Sequence, residues 1–162
     1  MFHGLNKIIY LKRIIHEQLR KRTMFNFKKK TAKKPNIFII EDSHVFLQTL
    51  KLKLKKMYGG KVQIKGFTET ETFFEMMKDG VEIVIMDYHL DEQSSVEGIA
   101  LLEKIKLTSP GTFVLVLTAE EDLATAKKCF DLGADSYMVK SPESLDKVVT
   151  EIHARIALTN FL

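Results

Sequence analysis

Apolar residues in this chain come in short unbroken runs, and each run stops at a polar residue. Ile37-Phe38-Ile39-Ile40 leads into Glu41 and Asp42, Ile83-Val84-Ile85-Met86 into Asp87, Phe113-Val114-Leu115-Val116-Leu117 into Thr118, and Tyr137-Met138-Val139 into Lys140. Runs of this length, rich in Val and Ile, read as strands buried on both faces, the pattern of a parallel sheet. A further strand is expected from Val62 to Phe67. Helix-period segments lie between them: Val45, Leu47, Leu50, Leu54 and Met57; Thr70 to Met77; Ile99, Leu101, Leu102 and Ile105; Leu123, Ala126, Phe130 and Leu132; Leu145, Val148, Val149, Ile152 and Ile156. Five successive βα units predict a doubly wound α/β sheet. Parallel strands bring their C-terminal ends to one edge, so Glu41, Asp42, Asp87, Thr118 and Lys140 should meet in the crevice where open α/β sheets bind ligands.

In spacing and residue type, Lys34 to Leu158 resembles the receiver domain of response regulators. EDSHVF resembles that family's acidic pair, IVIMDYHL its phosphoacceptor aspartate, VLVLTAEED its switch threonine, and DSYMVKS its aromatic and lysine on the fifth strand. No element is specific alone, but their order is. The resemblance implies a flavodoxin-like five-stranded parallel sheet in the order 2-1-3-4-5, and a phosphorylation-activated switch in a two-component phosphorelay. Asp87 would accept a phosphoryl group from a sensor histidine kinase or a histidine phosphotransfer protein. Mg²⁺ would be held by Asp42 and Asp87, by Glu41 through water, and by the backbone carbonyl of His89. Such a cation suits the chemistry, since Mg²⁺ prefers oxygen ligands and takes only one or two carboxylates. Lys140 and Thr118 would contact the phosphoryl group, Tyr137 would act as the switch aromatic, and His89 and Glu120 would flank the path of hydrolytic water. A signalling protein with at most slow self-catalysed chemistry is expected, not an enzyme.

Two departures from the family pattern stand out. Between Asp87 and Gly98 the loop is about three residues longer than usual and lacks proline. After Lys140, Ser141 intervenes before Pro142. A cis bond before a non-proline residue costs about 2.5 to 4 kcal/mol, so a trans Lys140–Ser141 bond is expected, with Pro142 as the first residue of the last helix.

The 162 residues and 45% hydrophobic content suit one globular core. Only one helix follows Lys140, which points to a stand-alone receiver, or else to a fragment of a larger regulator or hybrid kinase. Specific DNA binding is not expected. The single cysteine, Cys129, excludes an internal disulfide framework, fits a reducing cytoplasm, and suggests packing beside Phe130. A haloacid-dehalogenase-like phosphatase is the other class that combines Asp, Thr, Lys and Mg²⁺. It needs a second Asp two residues after the nucleophile, and that position here is His89.

Charge divides the chain into a basic arm, residues 1–34, and an acidic receiver, residues 35–162. Eleven Lys or Arg against the single acid Glu17 give the arm +10, leaving −6 for the rest of a chain whose total is +4. Leu5, Ile8, Ile9, Leu11, Ile15 and Leu19 fit one side of an amphipathic helix. The arm is too broken for a signal peptide or membrane span. It could pack on its own receiver or contact an anionic membrane, nucleic acid or acidic protein; Met24 as the native start is a further reading. The chain lacks an obvious arginine after Tyr137 of the kind that supports the dimer face of winged-helix regulators in the family it resembles, which favours a monomer.

Overall fold

The computed structural model describes residues 34–159 apart from 79, 91–94 and 120, so the expectations for the basic arm and for Glu120 lie outside the described residues. Five parallel strands, β1 (Asn36–Ile40), β2 (Gln63–Phe67), β3 (Ile83–Asp87), β4 (Phe113–Thr118) and β5 (Ser136–Val139), form one sheet in the order β2-β1-β3-β4-β5. The central three are buried along their whole length, which explains their unbroken apolar composition. Ile37 pairs with Ile83, and Ile83 with Phe113, so the three strands are in step. The edge strands β2 and β5 are only partly buried.

Alternating side chains feed two cores. Ile37, Ile39, Ile83, Ile85, Leu115 and Leu117 pack with α1 (His44–Tyr58) and α5 (Ser144–Thr159), through Leu47, Leu50, Leu54, Val148 and Ile152. Phe38, Ile40, Val84, Met86, Val114 and Val116 meet α2 (Thr70–Met77), α3 (Ser95–Thr108) and α4 (Leu123–Asp131), through Phe73, Met77, Leu101, Leu102, Ile105 and Cys129. Cys129 is fully buried, and burial pushes its thiol pKa up, in line with the packing role.

Several expected details shift. Val45 is 79% exposed and Leu123 86% exposed, and Met57 and Phe130 are half exposed. The buried stripe of α1 runs Leu47, Leu50, Leu54, Tyr58; Val45, two residues before Leu47, is turned about 200° from it at the helical period. In α4 the inward position belongs to Cys129. Val62 is buried immediately before β2, which begins at Gln63.

No peptide bond among the described residues is cis, so Lys140–Ser141 is trans. Pro142 lies in a turn closed by Ser144 N–H donating to the Ser141 carbonyl at 3.0 Å, and α5 starts at Ser144. The fixed φ of proline serves that turn in place of the first helical position. Ser43 caps α1 by accepting the Phe46 N–H, and Asp122 caps α4 by accepting those of Ala124 and Thr125.

Candidate functional site

Backbone pairing continues one residue past the strands and aims the site. Glu41 N–H donates to the Phe67 carbonyl at 3.0 Å, Tyr88 N–H to Leu117 at 2.7 Å, and Lys140 N–H to Thr118 at 2.6 Å. These bonds tie Glu41 beside the end of β2, the residue after Asp87 beside β4, and Lys140 beside Thr118.

At the centre stands Asp87, 4% exposed. Its Oδ2 lies 2.7 Å from Lys140 Nζ, and its Oδ1 accepts the His89 N–H at 3.1 Å. Lys140 also reaches Glu41, at 3.0 Å from Oε1 and 2.9 Å from Oε2, while Ser43 N–H donates to Oε1 at 3.3 Å. One oxygen each from Glu41, Asp42 and Asp87 falls within 4.8 Å of the others. Glu41 and Asp87 are buried and Asp42 faces solvent.

Burial raises the Glu41 pKa to about 7; the Lys140 hydrogen bond opposes this and the Asp87 charge adds to it. Burial pulls Lys140 down, but its bonds to Asp87 and Glu41 more than reverse that, and its pKa is raised. A carboxylate forced up by burial beside two more acids is a poor resident of an empty pocket. It suits one where a cation supplies compensating charge. Three convergent oxygen donors fit the hard-cation preference of Mg²⁺.

Thr118 is buried at the end of β4. On the neighbouring strand, the Tyr137 hydroxyl is shielded from solvent; burial raises its pKa and the Thr118 hydroxyl lowers it. The two expected switch residues therefore adjoin. His89 is half-buried, with its ring 4.8 Å from and nearly perpendicular to that of Tyr88, and its Nε2 shielded from solvent. Gly98 in α3 sits against Tyr88, leaving no room for a side chain. Its spacing from Asp87 is readable in the sequence, but this contact is not. Ser43, whose N–H reaches Glu41, had no signal in the sequence beyond its place in EDSHVF.

These features coincide with a known architecture. The response regulator receiver domain model matches residues 37–153. The chain belongs to the response regulator receiver domain family. It is 27% identical over 126 residues to the cell cycle transcriptional regulator CtrA of Caulobacter vibrioides, covering 73% of this chain and 48% of that protein. Identity to the transcriptional regulatory protein BasR of Escherichia coli is 32% over 126 residues, covering 74% and 50%. The chain thus spans about half the length of the curated relatives it matches. Among solved structures, a response regulator receiver protein from Pseudoalteromonas atlantica superposes with a TM-score of 0.65 at 22% identity, over 77% of this chain and 99% of that one. A Burkholderia pseudomallei response regulator with a phosphorylated aspartic acid, a calcium ion and citrate is 26% identical, with a TM-score of 0.60, over 78% and 75%.

This receiver domain is thus a signal-transduction module of two-component systems, a switch class rather than a classical enzyme class. Receiver domains bind Mg²⁺ at an acidic pocket and interact with histidine kinases or phosphotransfer proteins. Among the described residues no helix is long and apolar enough to cross a membrane.

Proposed function

We propose that Asp87 accepts a phosphoryl group from a partner phosphohistidine, and that its modification changes the surface formed by β5 and the helices on either side of it. The observation that carries this reading is the Lys140 ammonium 2.7 Å from Asp87 Oδ2, beside three carboxylates whose oxygens converge within 4.8 Å. Asp42 and Asp87, with Glu41 through water and the His89 carbonyl, would hold Mg²⁺, which when bound neutralises charge around the incoming group. A phosphoryl group adds roughly −1.5 to −2 charge where, among the described residues, Lys140 is the cation paired with Glu41 and Asp87.

Before modification, Lys140 is committed to Asp87 and Glu41. The acyl phosphate offers Lys140 and Thr118 acceptors absent in the free chain, and this difference biases a two-state element. Reversing a 1:99 population needs about 5.5 kcal/mol. A charge-assisted contact from Thr118 at about 1.5 to 3 kcal/mol supplies part of it, and Lys140 exchanges carboxylates it already holds for phosphoryl oxygens. Tyr137, adjoining Thr118, is the side chain that reports the change on the surface.

CtrA and BasR are transcriptional regulators about twice the length of this chain's match, so a receiver of this kind serves either alone or as the input half of a DNA-binding protein. Incubation with acetyl phosphate and Mg²⁺ should add one phosphoryl mass that hydroxylamine removes and EDTA prevents. Addition that survives EDTA or resists hydroxylamine would refute the aspartyl assignment.

A further inference from the structure

Lys140 has a third neighbour besides its two carboxylates. Its Nζ lies 4.8 Å from the centroid of the Phe46 ring, within the range of cation–π attraction. Phe46 stands in the first turn of α1, its N–H held by the Ser43 cap and its ring half-buried against the core shared by α1 and α5. Among the described residues, Lys65 lies over Phe38 and Lys104 over Phe74 in the same way, but it is Lys140 that is bonded to Asp87 and Glu41.

We propose that Phe46 is a positioning residue that holds the Lys140 ammonium at Asp87 through its aromatic face. This rests on the phosphoacceptor reading above and adds a residue to it. The physical advantage is specific. A π face attracts the ammonium without offering a lone pair, so it steadies Lys140 without competing for its N–H donors. A carboxylate or water at the same place would have to be displaced when a phosphoryl oxygen arrives. Leucine would fill the space but supply no quadrupole.

The test measures phosphorylation rate against phosphoramidate concentration for the full chain with Mg²⁺. Phe46→Leu should lower the maximal rate about fivefold, the factor that about 1 kcal/mol of cation–π attraction gives, and leave the half-saturating concentration unchanged. Phe46→Tyr should restore the rate. Mono-, di- and trifluorophenylalanine at position 46, which keep the ring but progressively drain its face, should lower the logarithm of the rate stepwise. A rate indifferent to fluorination, with Phe46→Leu still slow, would reduce Phe46 to packing and overturn the proposal. In the unphosphorylated chain, ring current should move the Lys140 ε-methylene protons upfield, and Phe46→Leu should release them. An unchanged methylene shift in Phe46→Leu would overturn the contact itself. Absence of any phosphorylation in the unsubstituted chain would strike the phosphoacceptor reading instead, and the methylene shift would still decide the contact.

Discussion

Gly98→Ala tests how tightly α3 is fitted against the loop that follows Asp87. A Cβ at position 98 would lie 2.3 Å from the Tyr88 backbone oxygen and 2.8 Å from its Cδ2, against roughly 3.3 Å for the closest carbon–oxygen approaches. Helix or loop must move by about 1 Å, and the obstacle is backbone, which cannot rotate away. Overpacking costs about 1 to 3 kcal/mol, and a backbone obstacle places this case at the upper end. Alanine recovers up to about 1 kcal/mol of helix propensity over glycine. A net loss of about 2 kcal/mol is expected. In urea unfolding this lowers the midpoint by roughly 1 M, for slopes of about 1 to 3 kcal/mol/M. Because the same loop carries the N–H that His89 donates to Asp87, the His89 amide resonance should move as well. A variant as stable as the parent, with that resonance in place, would refute the close approach.

Three further outcomes follow. In metal-free chain, the Glu41 pKa raised from 4.5 to about 7 means the folded state binds the extra proton between those values, so this contribution to stability is full below pH 4.5 and lost as pH rises through 7. The melting temperature of Glu41→Gln relative to the parent should therefore increase from pH 5 to pH 8; a flat difference would contradict the shift. Lys106 Nζ donates to the Thr112 carbonyl and to Asp135, each at 2.7 Å, so Lys106→Met should lose about 2 kcal/mol in chemical denaturation, and a loss below about 0.5 kcal/mol would mean the pair is solvated. Cys129, fully buried with a raised pKa, should react with a thiol reagent only as fast as the chain unfolds; fast labelling in native buffer would rule out the packed position.

The sheet was legible because strands buried on both faces need no phase: any apolar residue serves, and the run ends where the polar edge begins. That ending also marked Asp87, Thr118 and Lys140. Helix faces were less legible, because an apolar residue such as Val45 or Leu123 can sit off the stripe, while Tyr58 and Cys129, less obviously apolar, fill it. Lys140 and Glu41 are 99 residues apart, and their direct pairing depends on the order of strands rather than on any local pattern. Gly98 was visible as a spacing but not as a contact with Tyr88, and nothing in the composition of α1 distinguished Phe46 from its apolar neighbours. The start of α5 at Ser144 reflects a turn through Pro142 that competes with the first helical turn for the same residues.

The central claim is that Asp87 carries the phosphoryl group, and borohydride trapping tests it most directly. Reduction of the chain after treatment with acetyl phosphate and Mg²⁺ converts an aspartyl phosphate to homoserine, which peptide mass mapping locates. Homoserine at position 87, absent without Mg²⁺ and absent in Asp87→Asn, is the predicted result. Homoserine at Asp42 or any other acid, or phosphorylation that persists in Asp87→Asn, would contradict it.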